Sequence, residues 1–311
     1  MGQPRDSIRD RPTFDELVAR HRRELFAHCY RMLGSVQDAE DALQEALLGA
    51  WKGFAGFEGR SSARAWLYRV CTNACLRLIS RRPRRMLSPD HGPPRTDPAD
   101  LGEPVLGPVW LEPFPDPAEE YEDRETIELA FVAALQHLPG TQRAVLILRE
   151  VLEFSAAEVA GILDTTPASV NSALQRARKA VDERMPETSQ QAELDALGEG
   201  GRRALVDAFV GAWERADVPA LLGLLTADAR FTMPPLPAWF DGRESVGRFV
   251  AERMFAYEWR LAPLPANGQL GFACYAEERV GALCVLSLRD GRIREISGFL
   301  DPGLHRFATD R

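Results

Sequence analysis

Apolar positions recur at helical spacing in three blocks near the N-terminus and predict helices over residues 13–33, 35–54 and 62–80. Thr13 is placed to cap the first, Gly34-Ser35 breaks it, and Pro83 follows the third. Between residues 86 and 117 the periodicity vanishes. Nine prolines fall there, each without a backbone N–H, which predicts an extended or disordered linker. Val109-Trp110-Leu111 and Phe114 interrupt it, either as an anchor for a neighbouring domain or as a chance apolar cluster. Helical spacing resumes near Ala118 and runs to about Met185, and residues 186–201 read as a second connector. Beyond it the pattern changes class. Helices are predicted over 202–215, 219–225 and 244–254, a loop over 234–242, and strands over 229–233, 257–261, 271–277, 281–289 and 292–299. Asp290-Gly291 marks a hairpin between the last two strands. Helices followed by a meander suggest an α+β domain with helices packed on a curved sheet.

The sharpest local signals lie between residues 139 and 181. Ser155 and Glu158 form a capping box, and Val159, Ile162 and Leu163 supply the apolar stripe of the helix it starts. Asp164-Thr165 makes a turn, Thr166 caps the next helix, and Pro167 sits at its first position, where a missing N–H costs nothing. Val170, Leu174, Ala177 and Val181 then face inward. Asn171, Ser172, Gln175, Arg178 and Lys179 project from the other side, with Ser169 near the start and Arg176 on the flank. This is a helix-turn-helix pattern. Asn and Gln pair with adenine edges, Arg with guanine, and Arg and Lys neutralise phosphates, so the helix suits a DNA major groove. A solvated polar face on an ordinary core helix is the plainer alternative.

Two further surfaces stand out. In the second helix Asp38, Asp41 and Glu45 share a face, with Gln44 beside them and Glu40 on the flank. Ala39, Ala42, Leu43, Ala46, Leu47 and Ala50 form the opposite seam. The acids suit the positive end of the helix dipole, and the row is either a solvated face or a docking surface for a basic partner protein. The third helix carries Trp66, Leu67 and Val70 as core, and exposes Arg69, Asn73 and Arg77 before Arg81, Arg82, Arg84 and Arg85. A patch that contacts phosphates is the physical reading, and a basic tail the alternative.

Charge is segregated in a way the net value of −8 conceals. Residues 1–85 hold 16 Lys and Arg against 10 Asp and Glu, whereas residues 86–128 hold 2 against 12. That asymmetry fits a nucleic-acid binder with an acidic spacer. The five cysteines show no disulfide-framework spacing, as expected for a reduced cytoplasm. Cys71 and Cys75 read as half a metal site or as buried core thiols; no nearby His or Cys pair completes a ligand set, and no metal or cofactor is expected. No apolar run is long enough to span a bilayer.

The segment Asp38-Ala-Glu-Asp-Ala-Leu-Gln-Glu, then Trp51, then Ala65-Trp-Leu-Tyr-Arg-Val with Asn73, resembles region 2 of sigma-70 family factors of the extracytoplasmic-function (ECF) group. Residues 130–181, with Leu138-Pro139, Gln142-Arg143 and Arg176-Ala177-Arg178, resemble region 4. The resemblance implies a promoter-specificity subunit of RNA polymerase. The face of Asp38, Glu40, Asp41, Gln44 and Glu45 is then expected on the clamp helices of the β′ subunit. The third helix, with Arg69, Asn73, Arg77, Arg81 and Arg82, would read the minus-10 element. The helix from Pro167, with Ser169, Asn171, Ser172, Gln175, Arg176, Arg178 and Lys179, would read the minus-35 element, with region 4 on the β flap. One departure is Cys75-Leu76-Arg77, where an acidic residue often follows the Asn.

The C-terminal part resembles the SnoaL-like α+β fold of ketosteroid isomerases and polyketide cyclases, through residues 212–217 and 233–242. Isomerases of that fold carry a general-base carboxylate just after the first strand; here Met233-Pro234 falls there, and neither takes a proton. Asp207, Glu214, Asp241 and Glu258 lie outside that position, and Trp213, Phe231, Trp239, Phe255, Trp259, Phe272 and Phe299 either line a pocket or form core. The expected organisation is therefore region 2 over 13–85, an acidic linker over 86–117, region 4 over 118–185, a connector over 186–201, and a SnoaL-like domain over 202–311. That last domain is expected to be a regulatory or ligand-sensing module with room for a small ligand. The competing reading is a cyclase or isomerase fused to a DNA-binding module.

Overall fold

A reciprocal pair of hydrogen bonds opens the described chain. Glu16 N donates to Thr13 Oγ1 at 3.3 Å and Thr13 N to the Glu16 carboxylate at 2.9 Å, starting α1 (Phe14–Leu33). This computed structural model describes residues 13–54, 62–114, 127–277, 279–300 and 303. The predicted helix start near Ala118, the end of the proline-rich stretch at 115–117 and the tail from 304 lie outside them. Gly34, at φ 66°, closes α1 in the left-handed conformation. Helices α2 (Val36–Phe54) and α3 (Ala63–Ile79) pack against it over Leu25, Tyr30, Met32, Leu67 and Tyr68, all at most 1% exposed.

Residues 83–114 depart from the expected free tether. A short helix, α4 (Ser88–His91), is followed by a return that bridges Met86 to Trp110, with Met86 N donating to Val109 O and Leu111 N to Met86 O. Trp110 and Leu111 are buried, and the Trp110 ring lies 4.2 Å from that of His91. Proline density forbids a regular ladder, but it leaves carbonyls and the remaining N–H groups able to pair elsewhere.

Next come α5 (Leu129–Gln136), α6 (Gly140–Leu146) continued by a π-helical turn at Ile147–Val151, α7 (Ala156–Ile162) and α8 (Pro167–Asp182). The caps predicted from sequence form: Glu158 N donates to Ser155 Oγ, the Glu158 carboxylate accepts from Ser155 N, and Ser169 N donates to Thr166 Oγ1. Helix α9 (Gln190–Glu214) begins inside the predicted connector and is interrupted at Gly198, φ 64°. Then follow α10 (Val218–Leu224), β1 (Leu225–Thr232), β2 (Trp239–Asp241), α11 (Arg243–Phe249) with a π-helical turn to Met254, β3 (Trp259–Pro263), β4 (Gly271–Ala276), β5 (Arg279–Arg289) and β6 (Arg292–Phe299). The sheet order is β2-β1-β6-β5-β4-β3. Strands β3 to β6 form the expected antiparallel meander, β1 joins β6 in parallel, and β2 is a strand within the segment read as loop.

These elements make two compact units. One takes the described residues up to Arg82 and Leu135–Glu183. The other takes Pro83–Ala134 and the described residues from Arg184 onward. In the second unit the proline-rich segment is stitched to the α+β domain. Arg95 N donates to Trp239 O at 2.7 Å, Trp239 Nε1 to Gly92 O at 2.8 Å, and Val105 N to Pro235 O at 2.9 Å. Asn267 exchanges backbone and side-chain bonds with Phe114 and donates to Ile127 O at 2.7 Å, while Gln269 Oε1 accepts from Leu129 N at 3.0 Å. The predicted anchor residues Trp110 and Leu111 thus belong to the same unit as the C-terminal domain. No helix among the described residues is long and apolar enough to cross a membrane.

One buried group gives this fold a pH dependence. His28 lies inside the three-helix layer with Nε2 2.9 Å from Thr72 Oγ1. Burial, aided by the nearby Arg31 charge, holds its pKa down to about 3. Below the ordinary histidine value the unfolded chain takes up a proton that the folded one refuses, so stability falls as pH drops. The slope is about 1.4 kcal/mol per unit. His28→Gln should remove about 2 kcal/mol of the loss between pH 7.5 and pH 5 in urea titrations. An unchanged pH slope in the variant would contradict this assignment.

Candidate nucleic-acid interface

Helix α8 divides as its periodicity predicts. Val170, Leu174, Ala177 and Val181 are buried against α6 and α7, while Ser169, Asn171, Ser172, Gln175, Arg176, Arg178 and Lys179 are exposed. The Ser169 hydroxyl lies 3.0 Å from Thr166 Oγ1 and so belongs partly to the cap. Arg178 donates to the Glu150 carboxylate at 2.6 Å. A helix buried on one side and lined on the other by amides, hydroxyls and cations presents what the edges and phosphates of a major groove accept.

The α3 surface is more engaged. Asn73 is half-buried, and Arg69 donates to both oxygens of Asp164, each at 2.8 Å. Arg77 donates to Glu45 at 2.8 Å, and Arg82 pairs with Asp38. Arg81 is exposed, and no carboxylate lies within ion-pair distance of it among the described residues. Arg85 does not join the expected phosphate patch: it is buried and donates to Trp110 O at 3.0 Å and to Glu112 at 3.3 Å. The acidic partners Asp164 and Glu150 were not singled out in the sequence, because each pair spans 28 residues or more.

The acidic row of α2 separates into two classes. Asp38 sits in the first turn with its side chain 5% exposed, its N–H donating to Ser35 Oγ, and its carboxylate taken by Arg82. Glu40, Asp41, Gln44 and Glu45 are exposed. Beside them a groove of about 1090 Å³ runs between α1 and α2, with Phe14, Phe26, Leu43 and Leu47 in its wall. Leu48 and Trp51 stand at its edge, 58% and 60% exposed. The polar lining of the groove is mixed, with Arg22 and Arg23 as well as Glu40 and Gln44 beside these exposed apolar groups.

Comparison with known proteins identifies the segments that carry these surfaces. Residues 17–85 match the family model for sigma-70 region 2, and residues 128–181 that for sigma-70 region 4. The chain is 41% identical over 300 residues to the ECF RNA polymerase sigma factor SigG of Mycobacterium tuberculosis, covering 91% of this chain and 80% of that one. The chain belongs to the ECF RNA polymerase sigma factors. Members of this family bind core RNA polymerase and promoter DNA. The sigma-H factor of Pseudomonas aeruginosa is 30% identical over 174 residues, which cover 56% of this chain and 86% of that one, so the likeness is confined to part of this sigma factor. The crystal structure of the ECF sigma factor SigJ of Mycobacterium tuberculosis shares the fold over 95% of this chain and 99% of its own. Its TM-score is 0.63 and its identity 21%.

The α+β domain of the sigma factor is packed at its centre. Phe209, Phe231, Phe249 and Phe272 are at most 1% exposed, Trp213 2%, and Met233 is buried among them. Trp213 stacks at 6.3 Å on Phe231 and meets Phe255 edge-on at 5.6 Å. The carboxylates considered from sequence lie elsewhere. Asp207 and Glu258 are exposed, Glu214 accepts from Leu261 N, and Asp241 accepts from Arg230. Glu295, which the sequence reading passed over, has its carboxyl pushed up by burial and accepts from Ser297 Oγ at 3.0 Å. Its strand neighbour Ile296 points into the core, so Glu295 lies on the opposite face of the sheet. The thiols of Cys71 and Cys75 are buried beside that of Cys29. Hydrogen bonding to Cys29, together with burial, pushes the Cys71 thiol up.

Asp38 should therefore behave as a structural residue. Asp38→Ala is expected to cost about 1–3 kcal/mol of stability by stranding Arg82 and an end of α2. Glu40→Ala and Asp41→Ala should stay within about 0.5 kcal/mol. Thermal or urea unfolding of the three variants checks this. Equal stability of all three would place the Asp38 carboxylate outside the fold's energetics.

Proposed function

We propose that this sigma factor contacts the promoter at two points and polymerase at two more. The exposed face of α8 reads the minus-35 element through Asn171, Gln175, Arg176 and Arg178, with Ser172 and Lys179 on the flanking backbone. The α3 face with Arg69, Asn73, Arg77, Arg81 and Arg82 meets the minus-10 element. Glu40, Asp41, Gln44 and Glu45, with the neighbouring groove, dock on the β′ clamp helices, and region 4 sits on the β flap. The observation that carries the reading is the division of α8 into a buried apolar face and an exposed hydrogen-bonding face, in a chain whose α2 offers a separate docking groove.

We further propose that the C-terminal domain regulates initiation and does no chemistry. Its central cluster is built of aromatic and aliphatic side chains with Cys274 and Cys284, and Asp207, Glu214, Asp241 and Glu258 lie outside that cluster. Its means of control is the interdomain segment, whose backbone it holds through Asn267 and Gln269.

Transcription in vitro with core polymerase tests the first proposal. Arg178→Ala or Asn171→Ala should weaken minus-35 binding by about 1–3 kcal/mol while leaving core binding and thermal stability intact. An unchanged footprint for both would remove α8 from the readout. For the second proposal, Asn267→Ala severs the stitch in the full-length chain and should change promoter output without changing affinity for core enzyme. Equal output from variant and wild type would leave the domain without that role.

A further inference from the structure

Arg69 and Arg178 lie on the two helices assigned to the two promoter elements, yet each guanidinium already holds a carboxylate. Arg69 takes both oxygens of Asp164, and Arg178 takes Glu150, at 2.6–2.8 Å. In each arginine one terminal guanidinium nitrogen makes the contact, and a nitrogen that donates to a carboxylate oxygen donates to a phosphate oxygen in the same way, so these acids occupy donors that DNA would use. We infer that Asp164 and Glu150 are internal competitors for promoter DNA, held against the DNA-reading arginines in the free protein.

Three observations give the contact this character. First, the Arg69–Asp164 pair joins the minus-10 helix to the turn of the helix-turn-helix, so it links the two DNA-reading halves. Second, the pair is prearranged. Asp164 sits at φ 50° in a turn closed by Thr165 N donating to Ala160 O at 2.9 Å. The turn is held near α3 by Tyr68 against Phe154 at 5.2 Å, by Arg64 over the Phe154 ring at 4.5 Å, and by Gly140, where a side chain would meet Leu76. Third, both pairs are open to water. Arg69 and Asp164 are 45% and 72% exposed, and Arg178 and Glu150 53% and 38%. Exposed pairs are weak, so DNA can displace the acids readily, and each should lower DNA affinity by only about two- to fivefold.

The inference rests on the promoter-binding reading, and the experiment separates the two. The full-length protein without polymerase is titrated by fluorescence anisotropy with a random-sequence 20-nucleotide single strand and with the corresponding duplex. Asp164→Asn keeps a residue that tolerates the left-handed turn while removing the charge, and Glu150→Gln is nearly isosteric. Asp164→Asn should tighten single-strand binding about two- to fivefold, and Glu150→Gln should do the same for the duplex. The salt dependence for the single strand should steepen by about 0.7 in log K against log salt, because a freed arginine adds one phosphate contact. A merely structural role for the acids moves neither the affinity upward nor this slope. If Asp164→Asn fails to fold, Asp164→Gly preserves the backbone conformation and is read instead. Unchanged or weaker binding overturns the inference. If Arg69→Ala and Arg178→Ala weaken promoter binding by the holoenzyme while neither acid variant tightens DNA binding, only the competitor inference falls. If the arginine variants leave promoter binding unchanged, both fall.

Discussion

The first unit is held in register by one buried guanidinium. Arg143 of α6 is 4% exposed and donates to Met32 O at the end of α1, to Gln136 O and Leu138 O at the end of α5, and to the Gln136 amide. The last carbonyls of a helix have no partner within it, and the helix dipole leaves partial negative charge there. A single cation satisfies two such ends. Its burial is tolerable because its two terminal nitrogens find acceptors, and those fixed acceptors resist small displacements of α6 against α1. From that fixed point follow the placement of Gly140 against Leu76 and Ile79, of Phe154 against Tyr68, and of the Asp164 turn beside Arg69.

The second unit solves a different problem. A segment with nine prolines lacks many donors, but every residue still carries a carbonyl, and a buried carbonyl without a partner is costly. Side-chain amides do what a neighbouring strand cannot. Asn267 and Gln269 each present a donor and an acceptor, and they copy one rung of a ladder to Phe114, Ile127 and Leu129. Asn267 sits at φ 57°, a conformation asparagine tolerates better than most residues. The segment thereby packs without becoming a strand.

What was legible in the sequence follows from the range of each interaction. The Thr13, Ser155 and Thr166 caps and the Asp290-Gly291 hairpin involve residues a few positions apart, and the structure places each as read. The apolar face of α8 was legible because periodicity is local. Proline composition over 86–117 pointed to an extended or disordered linker and left Trp110 and Leu111 as either an anchor or a chance cluster, whereas the structure forms α4 there and buries both residues within the C-terminal unit. Strand β2 was missed because three residues between prolines and a glycine carry no period, and pairing of Thr232 with Trp239 is a tertiary fact. The ion pairs of Arg69, Arg77, Arg82 and Arg178 span 28 to 95 residues, and no spacing rule reaches that far.

Those pairs change how the basic character of the N-terminal segment should be weighed. A count of arginines suggested a strong electrostatic grip. The structure sorts them by what it would cost to release them. Arg143 and Arg85 are buried on carbonyls and serve the fold alone. Arg82 is bound to a buried acid, which makes it expensive to detach. Arg69, Arg77 and Arg178 hold exposed acids, and Arg176 and Lys179 are exposed on α8. Among the residues proposed for DNA contact, the cations least tied to the fold are then Arg69, Arg77, Arg81, Arg176, Arg178 and Lys179, in a protein of net charge −8. Non-specific attraction scales with the phosphates neutralised, so each acid held against one of these arginines lowers it. On the proposed reading, discrimination is shared by Arg176 and Arg178 with the uncharged groups Asn171 and Gln175, whose contacts form only at close approach. On that reading the factor depends on a partner that brings DNA and protein together, the role proposed above for the α2 groove.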